Sequence, residues 1–102
     1  MTGLAVRLED GVFCLSGEFD MAGVETFTRQ MAALLGDQGE VVLDLAGVTF
    51  MDSTAIGAIL ALAQRVGGRG FILRYPQAEV ARVFDIVRLG EVPGIYIERR
   101  TG

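Results

Sequence analysis

A chain of 102 residues, 51% hydrophobic and 22% charged, has the size of a single domain and enough apolar content to bury a core. Its formal charge is −4, and its nine cations are all arginines scattered between Arg7 and Arg100, which excludes the clustered basic face of a nucleic-acid binder. It has no histidine and no lysine, so Ser-His and Cys-His nucleophiles, Schiff-base amines and P-loop lysines are excluded.

The chain opens with alternation: Leu4, Val6 and Leu8 share one face, and Ala5, Arg7 and Glu9 the other, as in a half-buried strand. Asp10-Gly11 is a hairpin turn, and Val12 to Leu15 pairs back as a second strand ending near Ser16-Gly17. From Met21 the period lengthens. Val24, Phe27, Met31, Leu34 and Leu35 fall on one helical face, with Asp20 as N-cap and Gly36 as stop. Val41 to Leu45 is a short apolar run expected as a central strand covered on both faces, with Gly47 to Met51 as a connector. A second helix starts around Asp52-Ser53, runs through Ile56, Ile59, Leu60, Ala63 and Val66, and ends at Gly67-Gly68. Phe71 to Leu73 reads as a strand. A helix carrying Val80, Val83, Phe84 and Val87 stops near Leu89-Gly90, and Ile95 to Ile97 closes the chain as a last strand. This predicts one α/β domain over residues 1–102, with helices packed on a mixed four- to five-stranded sheet in the order β-β-α-β-α-β-α-β.

No apolar run approaches the ~18 residues of a membrane span, and Met1-Thr2-Gly3-Leu4 lacks a basic signal region; a cytoplasmic domain without membrane insertion is expected. Cys14 is alone, so it offers no internal disulfide and no credible zinc site; it reads as a small buried hydrophobe, and neither metal nor cofactor is expected. Carboxylate chemistry remains: Asp20 and Asp52 could form an acid/base pair, but a helix cap explains each as well.

The segment Leu43-Asp44-Leu45-Ala46-Gly47-Val48-Thr49-Phe50-Met51-Asp52-Ser53-Thr54-Ala55-Ile56-Gly57 runs from a buried strand into a helix that begins with an acid and two hydroxyls. From these residues alone, Asp52 or Ser53 reads more readily as an N-cap than as a modification site, and only the resemblance of the whole chain to a known family reverses that preference. The segment resembles the signature of the STAS domain family, specifically the anti-sigma factor antagonists: an acid, Ser-Ser or Ser-Thr, then Gly, an aliphatic residue and Gly. Leu15-Ser16-Gly17-Glu18-Phe19-Asp20 is similar to the family's Gly-Glu-apolar-Asp segment, and Arg82-Val83-Phe84-Asp85-Ile86 with Leu89 resembles its late helix. Ala55 departs from the pattern, standing where the family usually has glycine, and a methyl there is expected to narrow the approach of a kinase or partner.

The resemblance implies a non-enzymatic switch. The unmodified domain would bind an anti-sigma factor that is itself a serine kinase and so release the sigma factor. Phosphorylation on Ser53 would disable binding, and a serine phosphatase would reset it. Asp20, Asp52, Ser53, Thr54, Ile56 and Gly57 are the expected partner-binding residues, while Gly47 and Gly57 also read as serving turn geometry and close packing. A rival reading keeps the fold as a structural adaptor of a lipid-transport ATPase or stress-signalling assembly, without reversible phosphorylation, and Ala55 leans toward it.

Overall fold

The computed structural model describes residues 3–36 and 39–100. Ten elements follow one another: β1 (Leu4–Glu9), β2 (Val12–Phe19), α1 (Met21–Leu34), β3 (Val41–Met51), α2 (Ser53–Val66), a 3-10 turn (Gly67–Arg69), β4 (Phe71–Arg74), α3 (Ala78–Ile86), a second 3-10 turn (Leu89–Glu91) and β5 (Ile95–Glu98). The five strands form one sheet in the order β1-β2-β3-β4-β5. Asp10-Gly11 makes the expected turn, so β1 and β2 are antiparallel, and every later neighbour is parallel across a helical crossover. The predicted mixed sheet is therefore present with all five strands.

Because the strand order advances in one direction, crossovers of uniform hand put every helix on the same side of the sheet. Burial follows that rule. Phe13, Leu15, Val41, Leu43, Leu45, Phe71, Leu73 and Ile95 face a core closed by Phe27 and Met31 of α1, Ile59 and Leu62 of α2 and Val80 and Phe84 of α3. Val12, Cys14, Val42, Asp44, Ile72 and Arg74 on the opposite face stay half-exposed. This corrects two expectations: β3 is covered on one face, and Cys14 is half-buried on the other, beside Asp44. Burial, with Asp44 and Glu9 adding to it, pushes the Cys14 thiol up from its ordinary pKa.

The connector expected at Gly47 to Met51 is strand. β3 continues to Met51 and pairs with β2 through Gly17↔Val48, Glu18↔Phe50 and Phe19↔Met51. Two register shifts, between Cys14 and Ser16 and between Gly17 and Glu18, make core residues of Leu45, Val48 and Met51 at intervals of three, a spacing that hides the strand from a period-two reading. Glycine is required at this irregularity. Gly17 has φ of 99°, and a Cβ there would stand 1.8 Å from the Gly3 carbonyl oxygen; one on Gly47 would meet Ser16 Cβ at 2.9 Å. The third helix ends earlier than expected, at Ile86. Val87 is exposed, and left-handed Arg88 turns the chain so that Leu89 re-enters the core. Among the described residues no helix is long and apolar enough to cross a membrane.

Candidate functional site

The extended pairing of β2 with β3 fixes the site. Phe19 and Met51 are register partners, and the Asp52 N–H donates to the Phe19 carbonyl at 3.4 Å, so the chain leaves two adjacent strands at the same end of the sheet. Two residues further on, at Met21 and Ser53, α1 and α2 begin, bringing the helix starts that follow Asp20 and Asp52 side by side at one rim. Both aspartates are N-caps in extended backbone. Asp20 Oδ1 accepts from Gly23 N at 3.0 Å. Asp52 Oδ1 accepts from Thr54 N at 3.0 Å, Ala55 N at 3.3 Å and Thr54 Oγ1 at 2.5 Å. The Thr54 hydroxyl, followed by these two amides against an opposing contribution from burial, holds the Asp52 carboxyl below the ordinary aspartate pKa. That direction is opposite to what a general acid needs at neutral pH, and capping accounts for both carboxylates.

The two hydroxyls after Asp52 are not equivalent. Thr54 is half-buried and spends its O–H on Asp52. Ser53, the first residue of α2, is exposed, and its hydroxyl has no hydrogen-bond partner among the described residues. It is the free nucleophilic oxygen at this helix mouth, where the macrodipole is positive. The Thr54 and Ala55 amides, which an anion at a helix start would otherwise bind, already serve Asp52.

The other expected site residues divide by exposure. Gly57 lies one turn beyond Ser53, exposed, with nothing within 4 Å of an added Cβ; close packing does not explain it, and it leaves open helix surface beside the hydroxyl. Ile56 is 6% exposed and belongs to the core, so its side chain supports α2 from beneath and is not presented at the surface. Ala55 is 0% exposed. Its methyl points into the core and narrows nothing on the approach to Ser53, contrary to expectation. Two residues that pattern reading passed over stand on the same rim: Met21, 71% exposed on the first turn of α1, and Phe50, 48% exposed near the end of β3. Phe50 was hidden by the unrecognised strand extension, and Met21 by its place at a helix start, where the apolar stripe had not begun.

A rim of two capped helix starts, one free serine hydroxyl and two exposed apolar side chains sits on a sheet of this order, and the family model for the STAS domain matches residues 4–101. The chain belongs to the STAS domain family. It is 31% identical over 90 residues to an anti-sigma F factor antagonist of Lysinibacillus sphaericus, covering 83% of this chain and 76% of that protein. Among solved structures, an anti-sigma factor antagonist from Mycobacterium paratuberculosis matches with a TM-score of 0.74 and 25% identity, over 91% of this chain and 83% of the other. SpoIIAA, an anti-sigma factor antagonist in its unphosphorylated form, shares the fold with a TM-score of 0.64 at 18% identity, over 96% and 89% of the two chains. In this STAS domain the sequence signature is thus a rim: Asp52 holds the helix start and Thr54, and Ser53 is left to solvent.

Proposed function

We propose that this STAS domain is an anti-sigma factor antagonist controlled by phosphorylation of Ser53. In the unmodified state the rim around Ser53 docks on an anti-sigma factor, with Met21 and Phe50 supplying apolar contact and Gly57 permitting close approach. The anti-sigma factor is a serine kinase that transfers phosphate from ATP to the Ser53 hydroxyl, and a serine phosphatase removes it. The domain is the substrate in both reactions and catalyses neither. The observation that carries this reading is the division of labour at the start of α2: Asp52 caps, Thr54 is engaged, and the Ser53 oxygen is exposed and unbonded.

The energetics suit a switch. Phosphate replaces a neutral hydroxyl with about −1.5 to −2 charges, directly beside the Asp52 carboxylate. A hundredfold loss of affinity requires only about 2.8 kcal/mol, within the reach of desolvating a dianion against a fitted surface. The adaptor reading drew its support from Ala55, and an inward-pointing methyl removes that support. Incubation with the cognate kinase and ATP, followed by site-mapping mass spectrometry, tests the assignment. Phosphate is expected on Ser53 and absent from Thr54; modification of Thr54, or none on either residue, contradicts it.

A further inference from the structure

Away from the rim, α1 and α2 leave a groove between them of about 300 Å³, at the lower end of small-molecule sites. Buried Phe27, Met31 and Leu62 form its floor. Ala58 and Ala61, whose side chains are too short to fill the space, form the α2 wall. No carboxylate lines it. Its only charge is Arg65, exposed in the last turn of α2, which makes no ion pair among the described residues, as is also true of Arg29, Arg82 and Arg100 outside the groove. Both helices run away from the same end of the sheet, so from Val24 to Met31 the groove extends about 10 Å along the axis, with Arg65 at the end far from Ser53.

We infer that this groove is a binding site for a dissolved medium-chain carboxylate of octanoate to decanoate length, its alkyl chain on the apolar floor and its carboxylate on the Arg65 guanidinium. The length of the groove sets the chain length. The single unpaired cation at one end selects an anionic head over a neutral or cationic one. The site is separate from the Ser53 rim, and the inference does not rest on the phosphorylation reading.

Amide NMR of the full ¹⁵N-labelled chain, titrated with sodium decanoate below its micelle threshold, tests it. Saturable shifts are expected at Val24, Thr28, Ala58, Ala61 and Arg65, with decyltrimethylammonium giving none. Arg65→Gln should weaken binding about fivefold, the scale of a partly exposed ion pair, and Arg65→Lys should retain most of it. Ala61→Leu, at an exposed helical position, should keep the thermal midpoint near that of wild type, fill the groove and weaken binding at least tenfold. Absence of saturation, equal binding of the cationic amphiphile, or unchanged affinity in Arg65→Gln overturns the proposal. So does binding confined to anionic vesicles, or groove shifts that track protein concentration without ligand, which would make the occupant a membrane or a second copy of the chain.

Discussion

Asp52 and Ser53 are chain neighbours with different duties, and substitution separates them. Asp52 accepts three hydrogen bonds at the start of α2, so Asp52→Ala should cost about 1 kcal/mol of stability in urea unfolding. Ser53 makes no side-chain bond among the described residues, and Ser53→Ala should stay within about 0.5 kcal/mol of wild type. If Ser53 were the cap, the order would reverse. Acidity gives a second handle. The Asp52 pKa is lowered in the folded chain, so its contribution to stability is fully present above the unfolded aspartate value and is lost as pH falls through the lower folded value. Asparagine caps without titrating. The margin of wild type over Asp52→Asn should therefore shrink as pH drops below about 4, and Thr54→Val, which removes the main cause of the lowering, should narrow the pH window over which it is lost. Urea unfolding of the three proteins across that range is the check, and a margin independent of pH contradicts the capping account.

At the scale of elements, α2 is a buried stripe of Ala55, Ile56, Ile59, Leu62 and Val66 with an exposed face that begins at Ser53 and Gly57. Gly57 sits in helical backbone with open space around it, so Gly57→Ala should stabilise the domain by about 0.5–1 kcal/mol. Gly57→Trp should leave the thermal midpoint near that of wild type and reduce affinity for the anti-sigma factor at least tenfold; unchanged affinity would remove this face from the interface. The helix was legible in the sequence because its period is unbroken from cap to glycine stop. The strand before it was legible only as far as Leu45, where the first register shift interrupts the alternation. That interruption also conceals that the caps Asp20 and Asp52 stand at neighbouring helix starts, which follows from Phe19 and Met51 pairing across a segment that reads as a turn. Ala55 was misjudged for a related reason. A motif gives the order of residues, whereas the helical period decides that position 55 faces the core while positions 53 and 57 face solvent.

For the molecule as a whole, a sheet with helices on one side separates the scaffold from the rim that we propose acts as a switch. Leu43 lies at the centre of β3 with no exposed surface, and Leu43→Ala should cost about 2–5 kcal/mol, read in the same unfolding experiment. The Ser53 oxygen, in contrast, stands outside the core on a helix already capped by its neighbour, so on the proposed function a phosphoryl group there would change what a partner meets far more than what holds the fold. The two effects are best measured on one sample. Protein phosphorylated at Ser53 and confirmed by mass mapping should be compared with unmodified protein by calorimetric titration against the cognate anti-sigma factor and by thermal unfolding. The account predicts an affinity reduced about a hundredfold or more, with the unfolding midpoint moved by only a few degrees. Equal affinity of the two forms, or weakened binding accompanied by loss of the cooperative unfolding transition, would contradict it.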